Sequence, residues 1–201
     1  LIRSLGEGAR LRARDVATLM IVVSDNIATN MLIDYLGVDT INAFIRSIGC
    51  THTKLHRSLR SDNWSKKLGT LTPRHMGRFF ALLAKGELVS PQASDAMRNV
   101  FRQQHYNTML AGSIPPYYTD PEESHADPDL IYVASKSGSM DACRNDGGLI
   151  HTPYGDYVLV MMCTDFANKL EVYDHPSVIY GNRVSRMLFD QYLALEGSFV
   201  K

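Results

Sequence analysis

Two short polar strings in this sequence carry the residue types that acyl-transfer chemistry uses. Residues 24–26 read Ser-Asp-Asn, and residues 136–139 read Lys-Ser-Gly-Ser. Attack of a serine on a carbonyl group needs a proton relay, positive charge for a substrate carboxylate, and amide donors for the developing oxyanion. Taken together, the two strings contain groups suited to each of these tasks.

The first string has three distinct candidate roles. Ser24 can pass a proton to a leaving nitrogen, which makes it a candidate catalytic residue. Asn26 can bind a substrate amide carbonyl, and Asp25 is expected to hold the corner together by accepting hydrogen bonds from backbone N–H groups. A helix cap is the alternative, because serine, aspartate and asparagine all favour that position. Residues 61–63 repeat the same three letters within a polar loop.

The second string supplies the complementary groups. Lys136 is the second candidate catalytic residue and provides positive charge. Ser137 can bond a carboxylate, Gly138 lets a substrate lie along the strand, and Ser139 offers its backbone N–H to the oxyanion. A solvated lysine at a strand end is the alternative interpretation of Lys136.

The apolar pattern predicts helices first and strands later. Helical spacing covers Val16–Val23 and Ile27–Leu36, and helix-start signals occur at Asp39, Thr72–Pro73 and Ser90–Pro91. Short apolar runs then predict an antiparallel meander, and helical spacing returns after Pro176. The expected fold is α+β, with a mainly helical subdomain over 1–128 and strands plus a C-terminal helix over 129–201. A polar loop spans about 50–71, and the predicted strands are Leu130–Ala134, Gly147–His151 and Tyr157–Cys163.

Composition excludes several classes of function. The 21 basic and 21 acidic residues cancel, so no nucleic-acid partner is expected. The longest apolar run, Leu19–Val23, is far too short to span a membrane. The seven histidines lack metal-ligand spacing, and His52, His56 and His75 are most simply surface or loop residues, so no metal or cofactor is expected. Three cysteines argue against a disulfide framework, although Cys143 and Cys163 could meet across neighbouring strands.

The order of the two strings resembles the class A β-lactamases and penicillin-binding proteins, which carry Ser-x-x-Lys, then Ser-Asp-Asn, then Lys-Thr-Gly. Here Ser137 replaces the threonine. Residues 9–37, 71–87 and 133–165 also look like elements of that family. The resemblance implies a β-lactamase/transpeptidase-like fold. It also implies a serine hydrolase that forms an acyl-enzyme with a β-lactam or a D-alanyl peptide-like amide or ester. It also implies a small-molecule or peptidoglycan-like substrate and a periplasmic or secreted location.

The resemblance also suggests that Arg144 reaches from the adjacent strand toward the substrate carboxylate. The alternative is an exposed pair with Asp146, which would contribute little to stability.

Two departures from the family pattern shape the expected activity. The only Ser-x-x-Lys match is 198–201, at a terminus that cannot start a buried helix. The nucleophile is therefore expected in a segment before Leu1 or in a second chain that completes the fold, and its absence should leave apolar surface exposed. Residues 50–71 contain no glutamate, and Asp62 is their only acid. These features predict a slow β-lactamase, with a non-catalytic binding relative or a peptidase or esterase as alternatives.

Overall fold

The computed structural model confirms the α+β class, with helices and an antiparallel sheet. Its contacts divide the chain into two compact units, Leu1–Phe79 and Phe80–Lys201. The subdomain boundary between residues 128 and 129 stays a prediction. The structure describes residues 1–59, 67–119, 127–140, 142–167 and 174–197.

The first unit is mainly helical. Gly37, at a φ of 79°, ends one helix and caps the next, a backbone conformation that favours glycine. The third helix therefore begins one residue before Asp39, the predicted cap. The elements of the first unit are a short 3-10 helix (Ile2–Ser4), α1 (Ala13–Val22), α2 (Asn26–Leu36), α3 (Val38–Ser47), the paired short strands β1 (Lys54–Leu55) and β2 (Gly69–Thr70), and α4 (Pro73–Ala84), which continues into the second unit.

The second unit contains the predicted meander, with strand order β3-β4-β5 and antiparallel pairing throughout. The strands extend beyond the apolar runs that predicted them, because polar residues 136–139 continue the first strand and pair in register with residues 144–147. The elements are α5 (Pro91–Phe101), α6 (Pro116–Thr119), β3 (Tyr132–Met140), β4 (Cys143–Thr152), β5 (Gly155–Thr164) and α7 (Pro176–Ala194).

One face of the sheet packs on α7 and on the turn that follows α5. Residues directly opposite each other in an antiparallel pair share a face, and the faces alternate along a strand. Cys143 pairs with Thr164 and Cys163 pairs with Arg144, so the two cysteines lie on opposite faces and both are free. The suggested contact between them is therefore wrong. The buried core of this unit is formed by Met109, Leu110, Ile114, Ile131, Ile150 and Phe189.

The outer face of α7 exposes apolar side chains at helical spacing. Tyr180 is 65% exposed and Met187 is 64% exposed, with Val184 between them at 39%. Residues four and three positions apart lie on one face of a helix. The three side chains therefore form one apolar stripe, called here the α7 outer face. Among the helices in the described part of the chain, none is long and apolar enough to cross a membrane.

Candidate active-site elements

Ser24 occupies a strained corner between α1 and α2. Its φ is 51°, in the left-handed region that non-glycine residues rarely adopt. Such strain persists only where the surrounding structure enforces it, and it concentrates at functional sites. The corner leaves Ser24 half-buried and Asn26, the first residue of α2, exposed. Within the first string, Asp25 is the N-cap of α2, and a catalytic role for Ser24 stays a prediction.

Asp25 holds this corner together. Its Oδ1 accepts hydrogen bonds from the backbone N–H groups of Ile27 and Ala28, both at 2.9 Å, which caps α2. Its Oδ2 accepts from the backbone N–H of Ile2 at 3.0 Å. Burial works to raise the pKa of Asp25, whereas the hydrogen bonds from the N–H groups of Ala28 and Ile2 work to lower it. Asp25 therefore acts as an anionic clamp.

Two helical asparagines, neither of which sequence reasoning had selected, tether the polar loop to the first unit. Asn30 on α2 donates to the Leu59 carbonyl at 2.8 Å and accepts from the Leu59 N–H at 2.7 Å. Asn42 on α3 makes the same reciprocal pair with Leu55, at 2.8 Å in both directions. The available signal was asparagine inside a helix, where its propensity is poor unless the amide bonds elsewhere.

Lys136 lies within β3, in register with Gly147. Its side chain is half-buried, and Nζ donates to the Ser137 carbonyl at 2.6 Å. Burial lowers the pKa of Lys136, while the negative charge of Asp146 opposes that shift. A partly desolvated ammonium group is a stronger anion ligand than a fully hydrated one. The structure therefore does not support a solvated strand-end lysine.

The strand beyond Lys136 is open to solvent. Ser137 is half-buried, whereas Gly138 and Ser139 are exposed. A Cβ added at Gly138 would meet nothing within 4 Å, so packing within the protein does not require glycine there. Glycine in a strand without a packing reason often marks a close approach by a ligand or another backbone. This geometry is compatible with a substrate lying along β3.

Arg144 and Asp146 are both buried, at 3% and 1% exposure, so an exposed pair is the wrong interpretation. The Arg144 guanidinium donates to the carbonyls of Met140 and Cys143 and lies 5.3 Å over the Phe166 ring. These contacts place it at the β3–β4 hairpin. A reach toward a substrate carboxylate stays a prediction.

Asp146 is the most deeply buried carboxylate near the second string. Its Oδ2 accepts from the Leu110 N–H at 3.0 Å, the Met109 N–H at 3.1 Å and the Thr108 hydroxyl at 3.3 Å. Its Oδ1 has no hydrogen-bond partner among the described residues, although the Gly147 amide lies close enough to act on its charge. Burial raises the pKa of Asp146 to about 6 against these opposing hydrogen bonds.

This raised pKa predicts a pH-dependent stability that Asp146→Asn should abolish. An unfolded aspartate titrates near about 3.9, so between that pH and 6 the folded state binds the extra proton, and stability falls as pH rises. The loss across this window is about 3 kcal/mol. Denaturant unfolding at pH 4 and pH 7.5 measures this effect. The free energy of unfolding of the wild type should fall relative to that of Asp146→Asn between the two pH values. Thr108→Val keeps the carboxylate and should keep the pH dependence, whereas parallel curves for wild type and Asp146→Asn would contradict the assignment.

The remaining predictions from the sequence concern the histidines, the two residue sets at 62 and 198–201, and the convergence of the two polar strings. His75 is buried at 6% exposure and bonds Thr53, so its interpretation as a surface or loop residue is wrong. Within the described ranges, no group of three or more histidine, cysteine, aspartate or glutamate residues is placed to hold a metal ion. Asp62 and the 198–201 string lie outside the described residues. Ser24 and Asn26 belong to the first unit and Lys136 and Ser137 to the second, so their convergence on one substrate stays a prediction.

The fold matches solved structures of known type. A β-lactamase from Sphaerobacter thermophilus is 25% identical with a TM-score of 0.78, and the match covers 94% of this chain and 67% of that one. The structure of PBP-A is 24% identical with a TM-score of 0.76, covering 97% of this chain and 66% of that one. A PBP-A variant in an acyl-enzyme complex with penicillin G is 25% identical with a TM-score of 0.76, covering 97% and 67%. The architecture is therefore that of the class A β-lactamases and penicillin-binding proteins, and the chain spans about two thirds of the length of these structures.

The sequence identifies the family directly. The family model described as the beta-lactamase enzyme family matches residues 1–192, nearly the whole chain. The chain belongs to this family. A search of curated proteins finds no significant match.

Proposed function

We propose that this chain carries the proton-relay corner and the anion pocket of a serine hydrolase that reacts with a β-lactam or a D-alanyl peptide-like amide or ester. The observation that carries the proposal is the half-buried ammonium group of Lys136, next to an open strand segment at Gly138. Family membership and the acyl-enzyme complex of the PBP-A variant with penicillin G support it.

The proposed reaction uses these residues in two steps. A serine hydroxyl attacks the substrate carbonyl while Ser139 donates its N–H to the oxyanion, and Lys136 and Ser137 hold the substrate carboxylate. The carbon–nitrogen bond then breaks, and the proton from the attacking hydroxyl reaches the leaving nitrogen through Ser24. Water finally cleaves the resulting ester, which releases the acid and restores the serine.

The attacking serine and part of the core are proposed to come from further polypeptide, either a segment of the same protein or a second chain. The solved relatives are about half as long again as the part that this chain matches. The α7 outer face exposes an apolar stripe at Tyr180, Val184 and Met187, which is suited to pack against such a segment. We also propose a periplasmic or secreted location, which is supported by membership of the family.

Two alternatives stay open. A binding relative would hold the same ligands in the same pocket without acylation, and a peptidase or esterase of this fold would form an acyl-enzyme with a peptide or simple ester instead. We favour the enzyme, because the backbone strain at the hydroxyl-bearing Ser24 is of the kind that concentrates at active sites.

Mass spectrometry of the full-length protein after mixing with penicillin G tests the proposal. The expected result is a covalent adduct with the mass of the intact drug, because opening the lactam ring expels no atoms. Lys136→Ala should slow adduct formation about 100-fold or more, and the matched control, Lys85→Ala at the exposed end of α4, should leave the rate unchanged. The 201-residue chain alone should form no adduct.

Reversible binding without any adduct would favour the binding relative. An adduct with an activated ester but none with penicillin would favour the esterase. Absence of both binding and acylation in the folded full-length protein would reject the proposed function altogether.

A further inference from the structure

We infer that Asp146 is a positioning residue of the anion pocket, joining the Thr108–Leu110 turn to the strand segment that carries Lys136 and Ser137. The inference rests on the proposed function for the role of the pocket, but its geometry is independent of any substrate. Asp146 pairs in register with Ser137, so its side chain lies on the same face of the sheet as the Ser137 hydroxyl.

The turn is held from two sides. Asp146 accepts from the N–H groups of Met109 and Leu110, so one carboxylate oxygen binds two consecutive backbone donors. On the other side, the Ser185 hydroxyl of α7 donates to the Leu110 carbonyl at 2.7 Å. Met109 also packs against Gly181 of α7, where an added Cβ would lie 2.6 Å from the methionine side chain. The turn therefore fixes the position of Asp146 on β4.

The same carboxylate acts on Lys136 through charge. Lys136 precedes Ser137 on β3, so its side chain starts on the opposite face of the sheet from Asp146. The charge of Asp146 nevertheless opposes the lowering of the Lys136 pKa by burial. Arg144, two residues away on the same strand, bonds hairpin carbonyls, and Met161, opposite Asp146 on β5, carries no charge. The negative charge of Asp146 favours the protonated form of the partly buried Lys136.

A neutral carboxamide at position 146 should separate the hydrogen bonding of this side chain to the turn from the effect of its charge on Lys136. Asp146→Asn keeps the shape and one acceptor oxygen but removes the negative charge. The Lys136 side-chain resonances of the full-length protein, followed by NMR across the alkaline range, should titrate at lower pH in Asp146→Asn than in the wild type. Asp156→Asn is the matched control, because it removes a carboxylate from the far end of the β4–β5 pair, where Asp156 bonds His151. It should leave the Lys136 titration unchanged.

A second readout uses the wild-type protein alone, in case Asp146→Asn does not fold. The amide resonances of Met109 and Leu110 should shift together as the Asp146 carboxyl titrates near pH 6, and the Lys136 side-chain resonances should shift at the same pH. An unchanged Lys136 titration in folded Asp146→Asn, or wild-type amides that shift while Lys136 does not, would overturn the inference. Neither measurement involves a substrate, so acylation by penicillin G can succeed or fail independently of this result.

Discussion

Ser24→Gly should be more stable than Ser24→Ala and much less active than the wild type. The φ of 51° at Ser24 costs a residue with a Cβ about 1–2 kcal/mol, a penalty that glycine avoids. Glycine in turn lowers the free energy of unfolding by about 0.5–1 kcal/mol, because the unfolded chain has more conformational entropy to lose. Relative to Ser24→Ala, which loses the same hydroxyl, the expected net gain is about 0.5–1 kcal/mol in the free energy of unfolding. Loss of the hydroxyl removes the proposed proton relay and should slow acylation about 10²- to 10⁴-fold.

Ser24→Ala is the matched control for this pair of effects. Alanine lacks the hydroxyl but keeps the Cβ, so it should lose acylation to the same extent without the gain in stability. Denaturant unfolding measures the first effect, and the rate of adduct formation with penicillin G measures the second. Two variants that both acylate at the wild-type rate would show that Ser24 relays no proton. A glycine variant no more stable than the alanine variant would show that the corner is not strained.

The sequence identified the two polar strings but not the backbone that presents them. Helix signals at residues 16–23 and 27–36 predicted the corner at Ser24, because apolar periodicity and capping chemistry are local properties. The positive φ of Ser24 was not predictable, because it follows from how α1 and α2 pack on each other. The same limit applied to residues 136–139. They are polar and give no local strand signal, and they belong to β3 because they pair with residues 144–147 of the next strand.

The interpretation of Asp146 shows where charge patterns mislead. Arg144 and Asp146, two residues apart, suggested an exposed ion pair, yet both are buried and each bonds other groups. The donors to Asp146 come from Thr108–Leu110, nearly 40 residues earlier in the chain. No local pattern encodes such a contact. The fold class could therefore be predicted from sequence, whereas the burial and pKa of this carboxylate required the structure.

The tethering of the polar loop was missed for a similar reason. Asn30 and Asn42 each look like weak helix formers in the sequence, and only the structure shows that their amides bind the backbone of Leu59 and Leu55. Both bonds connect this loop to helices of the first unit. The backbone of Leu59, three residues before Asp62 in the sequence, is therefore fixed to α2.

The acyl-enzyme of the full-length protein should be long-lived. The class A β-lactamases that this chain resembles use a loop glutamate to deprotonate the hydrolytic water, and residues 50–71 contain none. General-base assistance contributes about 10²- to 10⁴-fold, so without it deacylation should be slower by about that factor than in an enzyme that has such a base. Asp62 is the only acid in the loop, and its shorter side chain and basic sequence neighbours, among them Arg57 and Lys67, favour an ion-paired role over that of a base.

The lifetime of the adduct measures this effect directly. After brief exposure to penicillin G and removal of excess drug, the adduct mass should persist for many times the period needed to form it, and Asp62→Asn should leave its decay rate unchanged. If the wild type shows no adduct while it hydrolyses penicillin rapidly, and Asp62→Asn alone traps one, then Asp62 is the missing base and deacylation in this protein proceeds through an aspartate.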